Sequence, residues 1–207
     1  GLGDVYKRQC ELFKKYVHCG NVLYWAIDRE CLPMNPYLSE NELQFCYLGS
    51  INNIIDIPRI TAFLRECSAH KKCTLHIIGD GENKEYFIQE VLCVGVNVVD
   101  HKEVYDFQRK QEVFDQCNYG FNVMKPSVVV GLTMKSLDYM CAGLPIINTI
   151  KGDTKDFCEE WDIGFNLKKS NIKEVAERVC SESMDVQLQR RKTVSYTHLR
   201  AHETCAD

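Results

Sequence analysis

The chain has 207 residues, 45% apolar and 26% charged, the proportions of an ordinary globular protein. Its net charge of −4, with no long basic run, argues against a nucleic-acid partner, and no apolar stretch approaches the length of a membrane span. The 12 cysteines are irregularly spaced without a C-x-x-C pair, and Cys46, Cys73, Cys93 and Cys141 lie in or beside apolar stretches. They read as small buried hydrophobes of a reducing, cytoplasmic protein, and no metal site is expected.

Neither end reads like folded protein. Within residues 1–9, Asp4 to Gln9 (DVYKRQ) matches one reading frame of a transposon-type sequencing adapter. Within residues 194–207, Val194 to Thr204 resembles the opposite strand of such an adapter, so both ends are set aside as artefacts of a gene fragment. Residues 10–41 carry the apolar run NVLYWAI up to Asp28 and then the polar CLPMNPYLSENE, the pattern of a domain end followed by an interdomain linker. Tyr24 and Trp25 either pack against an upstream domain or cover a sheet edge of the domain that follows.

Residues 42–193 suffice for one α/β domain. Strands are predicted in LQFCYLG, CTLHIIG, VNVVD, YGFNVM, LPIIN and IGFNL. Helices are predicted between them in IPRITAFLREC, NKEYFIQEVL, FQRKQEVFDQC, the stretch from Thr133 and DTKDFCEEW, with SNIKEVAERVCSE last behind a Ser170 cap. Strict alternation of strand and helix with right-handed crossovers implies a doubly wound, Rossmann-like parallel sheet. Ligands in such a sheet bind beyond the carboxyl ends of the strands. Polar or glycine-rich loops follow the first four strands at Gly49-Ser50, Gly79-Asp80-Gly81-Glu82, His101-Lys102-Glu103 and Lys125-Pro126-Ser127.

The segment GLTMKSLDYMCAGLPIINT, Gly131 to Thr149, carries the most information. Thr133 suits an N-cap, Gly143 a C′ position, and Pro145 stops the helix before the next strand. Unpaired N–H groups of the first turn, the helix dipole and Lys135 make a seat for phosphate. Helical spacing places Met134, Leu137, Met140 and Cys141 on a packing face, and Lys135, Asp138, Tyr139 and Ala142 on a face toward a cleft. Taken alone, the helix has a second reading, an ordinary amphipathic element with Lys135 and Asp138 as a solvated i,i+3 pair. His18, His70 and His76 occupy positions unsuited to a catalytic base, and His101 borders the expected cleft. Glu103 and Tyr105 read as a solvated loop or the edge of a base pocket, and Asp153 and Thr154 as helix caps.

Three segments, FCYLGSINN, LHIIGDGEN and GLTMKSLDYMCAGLPIINTIKGDTKDF, resemble in order the C-terminal, donor-binding half of retaining glycosyltransferases of the GT-B fold. The resemblance implies transfer of a sugar from a nucleotide-diphosphate donor to a glycan or lipid-linked acceptor, with no cofactor and no catalytic metal. The acceptor, and any peripheral membrane association, would belong to a missing N-terminal domain. By the same resemblance, Gly49, Ser50, Gly79, Gly131, Thr133, Ser136 and Asp138 bind the donor, Asp138 through the ribose hydroxyls. Lys135 and Lys125 would be catalytic, steadying charge on the departing diphosphate. Two departures stand out: Val130 occupies the place of the family's first glutamate, and SINNIID lacks the usual basic residue after the first strand. A nucleotide-sugar epimerase of the same fold and a non-catalytic Rossmann-like binding module are the rival functions.

Overall fold

A computed structural model describes residues 32–130 and 132–203, with side chains as far as residue 196. Tyr24, Trp25, His18, Gly131 and the first nine residues lie outside the described residues. The elements run in the order β1 (Glu42–Leu48), α1 (Ile57–Ser68), β2 (Lys72–Ile78), α2 (Lys84–Cys93), β3 (Asn97–Asp100), α3 (Phe107–Gln116) and β4 (Tyr119–Asn122). They continue with α4 (Met134–Cys141), β5 (Ile146–Asn148), α5 (Asp153–Glu160), β6 (Gly164–Asn166), α6 (Ile172–Ser181) and α7 (Met184–Glu203). All six strands are parallel in the order β3-β2-β1-β4-β5-β6, so the strand order reverses between β1 and β4. That doubly wound α/β sheet and every expected helix agree with the sequence reading.

Both sheet faces are covered, which is why the strands are apolar almost throughout. One layer packs Ile60, Phe63 and Leu64 of α1, Phe87 and Val91 of α2, and Val175 and Val179 of α6 against Phe45, Tyr47, Leu75 and Phe121. The other packs Val113 and Phe114 of α3, Tyr139 and Met140 of α4, Cys158 and Val194 against Cys46, Leu48 and Ile146. Each such large side chain contributes about 1.5–3 kcal/mol by leaving water.

Helix starts follow local chemistry: the carboxylates of Asp56 and Asp106 accept from the N–H groups of Arg59 and Arg109 at 3.3 and 2.8 Å, capping α1 and α3. Two expected caps fall elsewhere. Ser170 sits inside a 3-10 turn, Lys169–Asn171, and Asn171 precedes α6. Gly152, at φ +98°, precedes α5, which leaves Asp153 and Thr154 buried in its first turn.

Helix α7 has no counterpart in the sequence reading. Its first half, MDVQLQRRKT, shows no apolar stripe, and polar contacts hold it instead. Arg191 is buried and donates to the carbonyls of Phe114 and Cys117 at 3.1 and 2.7 Å and to Asp115 at 3.2 Å. Arg190 donates to the Tyr119 hydroxyl and pairs with Glu182 and Asp162. None of the eight described cysteines is in a disulfide and seven are buried, but Cys93 is exposed at the end of α2, against expectation. Among the described residues no helix is long and apolar enough to cross a membrane.

The ends of β4, β5 and β6 share one polar device. Asn122, Asn148 and Asn166 are direct register partners across the three strands. The Thr133 hydroxyl donates to Asn122 Oδ1 (3.1 Å), Asn122 Nδ2 to Asn148 Oδ1 (3.2 Å), Asn148 Nδ2 to Asn166 Oδ1 (2.8 Å), and Asn166 Nδ2 to the Lys155 carbonyl (3.0 Å). A one-residue slip of any of these strands would break the bonds that its asparagine makes in this row.

Candidate functional site

The site follows from how α4 is seated at the strand-order reversal. Thr133 caps it with extended backbone, accepting from the Ser136 N–H at 3.2 Å. Since the Thr133 hydroxyl proton goes to Asn122, the Ser136 hydroxyl, 2.8 Å away, donates to Thr133 and accepts from Asn122 Nδ2 at 2.8 Å. Both side chains are buried and engaged in holding the helix start. The first-turn N–H groups of Met134 and Lys135 have no intrahelical partner, and the Met134 side chain is half exposed. At the other end, Gly143 N–H donates to Met140 O (3.0 Å) and Leu144 N–H to Tyr139 O (2.8 Å), the paired bonds of a Schellman stop.

The two expected faces of this helix are not the observed ones. Tyr139 and Ala142, placed by spacing on the cleft side, are buried, and Met134, placed on the packing side, is 49% exposed. The helix lies between the sheet on one side and α3 and α7 on the other, so only its first turn opens outward. Tyr139 enters the sheet over Gly120, where a Cβ would lie 2.8 Å from its ring, and its hydroxyl accepts from the Leu48 N–H at 2.9 Å. That anchors α4 to β1 across the reversal.

Lys135 turns toward β1. Its Nζ lies 4.3 Å from the Tyr47 ring centroid and 3.2 Å from the Tyr47 hydroxyl, which in turn donates to the Ser50 carbonyl at 2.8 Å. A Cβ on Gly49 would stand 3.8 Å from Lys135 Nζ, so Lys135 is a neighbour of Gly49 and Ser50, 86 and 85 residues earlier in sequence. Burial pushes the Lys135 ammonium down to about 8, with the Cys46 thiol a weaker opposing influence. A charge held at that cost is poised to gain from an arriving anion.

Gly49 and Gly79 both adopt positive φ, +107° and +146°. Gly79 is buried against the backbone of Gly49, and a methyl on it would collide with the Gly49 carbonyl oxygen. Gly79 thus supports the β1 loop from beneath. The loop after β3 offers less: Tyr105 donates to Glu103 at 2.9 Å, both exposed, and His101 stacks on His76 with ring nitrogens 2.9 Å apart.

Asp138 points elsewhere. Its carboxylate lies 3.6 Å from Lys110 Nζ of α3, and the two border a cavity of about 120 Å³ with Phe107, Gln111 and Phe114, which Lys135 does not line. The i,i+3 spacing brings Lys135 and Asp138 to one helix, but α4 hands the first to β1 and the second to α3. Lys125 is exposed after β4, its N–H donating to the Ile54 carbonyl at 2.9 Å, and borders a different cavity. The sequence reading missed Tyr47, which positions Lys135, and Lys110, which faces Asp138. An aromatic residue ending a predicted central strand and a lysine inside a predicted helix carry no signal by themselves.

The profile of the family described as Glycosyl transferases group 1 matches residues 42–183. The chain belongs to this family. None of the curated proteins compared with it matches. Solved glycosyltransferases share its fold. WaaG, a glycosyltransferase involved in lipopolysaccharide biosynthesis, is 14% identical, with 77% of this chain and 43% of WaaG covered at a TM-score of 0.60. Anabaena HepE in complex with UDP and glucose is 15% identical, with 79% and 44% covered, TM-score 0.60. A variant of S. aureus TarM in complex with Fondaparinux, alpha-GlcNAc-glycerol and UDP is 12% identical, with 96% and 42% covered, TM-score 0.62. The chain therefore spans less than half the length of each of these proteins.

Proposed function

We propose that this chain is the donor-binding half of a cytoplasmic glycosyltransferase that moves a sugar from a nucleotide-diphosphate donor to a glycan or lipid-linked acceptor. The observation that carries the reading is the convergence of Lys135, Gly49 and the open amide edge of α4 where the strand order reverses. The diphosphate lies along that edge, against the side-chain-free backbone of Gly49 and the neighbouring Ser50. Asp138, bordering the small cavity beside α3, takes the ribose. As the bond to the sugar breaks, negative charge grows on the diphosphate, and Lys135 with the fixed N–H groups stabilises it without reorganising. No metal is needed for that step. Support comes from family membership over residues 42–183 and from the UDP complexes of proteins with the same fold.

Calorimetric titration of the chain with UDP tests the reading. Saturable binding is expected, weakened at least tenfold by Lys135→Met. Absence of binding, or binding indifferent to Lys135, overturns it. In the complete gene product, release of UDP from the donor only when an acceptor is present separates transfer from epimerisation.

A further inference from the structure

Six cations line one cavity of this acidic chain. The cavity, about 470 Å³, opens at the carboxyl ends of β4, β5 and β6, bordered by Arg59 from α1, Lys125 after β4, Lys151 and Lys155 around the start of α5, and Lys168 and Lys169 after β6. No carboxylate borders it. Lys155 pairs with Glu159 at 2.9 Å and Asp156 at 3.9 Å. Glu159 also accepts from Asn166 and acts on Lys168 from farther off, while no ion pair within 4.0 Å involves Lys125, Lys151 or Lys169 among the described residues. Arg59 is nine-tenths buried, and its Nε, 3.0 Å from Asp56 Oδ2, forms an ion pair without hydrogen-bond alignment, leaving a buried donor unmet. Like charges gathered in a concave, partly dry space repel one another, and each is stabilised by a multivalent anion entering it. A guanidinium set among ammonium groups suits phosphate oxygens.

This cavity is not the place where Lys135 sits. Neither Gly49, Ser50, Gly79 nor Lys135 borders it, and Arg59 comes from the helix layer opposite α4. The antiparallel bridge Ile55–Met124 ties the β1 loop to the segment carrying Lys125, and Lys125, expected from the sequence to serve the donor, borders this cavity instead. The volume is that of an ordinary small-ligand pocket, ample for a diphosphate with part of an attached group.

We propose that this cavity binds a second phosphorylated group, the phosphate or diphosphate of the acceptor, alongside the nucleotide's own. The word acceptor rests on the transferase reading above; the anion site itself does not. A transferase whose acceptor bears a phosphate would thereby hold both substrates by their charged ends, one on each helix layer of the same sheet edge.

The test is calorimetric titration of inorganic pyrophosphate into the chain saturated with UDP, using wild type, Lys168→Ala/Lys169→Ala and Lys135→Met. Both lysines of the double variant are exposed, and an unchanged thermal melt checks its fold. Pyrophosphate is expected to bind the UDP-loaded wild type and to bind the double variant about tenfold or more weakly, as loss of two ammonium contacts implies. Exclusion of pyrophosphate by UDP, or equal binding to the double variant, overturns the proposal. If UDP itself does not bind, the transferase reading fails separately. Pyrophosphate binding to the free chain that is lost in the double variant and kept in Lys135→Met still supports the cavity; binding kept in the double variant sinks it.

Discussion

The Lys135 ammonium lies over the ring of Tyr47, 4.3 Å from its centroid, in a position where burial has already lowered its proton affinity. With its titration near 8 rather than the ordinary 10.5, the charge begins to disappear within a working pH range. An anion bound against it pulls the proton affinity back up. UDP affinity should therefore fall as pH rises above about 8, approaching tenfold per pH unit, and binding at pH 8.5 should take up protons. Calorimetry in two buffers of different ionisation enthalpy measures that uptake; a pH-independent affinity from 7 to 9.5 would exclude the role given to Lys135.

The same lowered value predicts a stability effect. Between pH 8 and 10.5 the unfolded chain holds a proton that the folded chain has released, so stability rises with pH across that window. Below pH 8 the cost of the buried ammonium is fully present. Lys135→Met should be more stable than wild type at pH 7, by about 1 to 3 kcal/mol, and the gain should shrink by pH 9.5. Urea unfolding at both pH values gives the comparison. Gained stability with lost UDP binding is the signature of a group kept for function.

Removing the Tyr139 hydroxyl tests how α4 is held. Tyr139→Phe leaves the ring over Gly120 but strands the buried Leu48 N–H, at a cost of about 1–3 kcal/mol. Because that bond anchors α4 to the end of β1, beside the loop that carries Gly49, UDP affinity should fall as well. An unchanged midpoint of unfolding would show that water satisfies Leu48 instead.

Asp138→Asn should separate nucleoside from phosphate recognition. UDP affinity is expected to drop about tenfold, while pyrophosphate affinity is unaffected, because the carboxylate faces Lys110 and the small cavity and not the Lys135 end of the helix. Equal losses for both ligands would place Asp138 in a structural role.

The two loop glycines should differ in kind. Gly79→Ala drives a methyl into the Gly49 carbonyl and should cost about 2–4 kcal/mol. Gly49→Ala meets only the Lys135 side chain at an ordinary 3.8 Å, so its cost is the strain of a positive φ, about 1–2 kcal/mol. Denaturant melts of both variants rank them.

The fold was legible because apolar strands and capped amphipathic helices are local patterns, and FCYLGS, LHIIG and LPIIN each announce themselves. The stop at Gly143 and the cap at Thr133 were legible for the same reason. Residues whose place depends on three-way packing were not. Tyr139 is polar enough to suggest a surface, yet the missing side chain of Gly120, 19 residues earlier, draws it into the core. Helix α7 escaped notice because a buried arginine bonded to the carbonyls at the end of α3 replaces the apolar stripe that periodicity seeks. The divergence of Lys135 and Asp138 depends on which neighbours α4 meets, which no spacing within the helix encodes. The basic cavity collects residues from four separate segments, each carrying only one or two cations.

The asparagine row at the strand ends has a directional sense: each carboxamide passes its donor onward, from Thr133 at the start of α4 to the Lys155 carbonyl beside the basic cavity. Turning the Asn148 amide over would set nitrogen against nitrogen on one side and oxygen against oxygen on the other, so a single arrangement is locked in before any ligand arrives. The rim is therefore preorganised, and the entropy that loops usually surrender when they close around a phosphate has already been lost during folding.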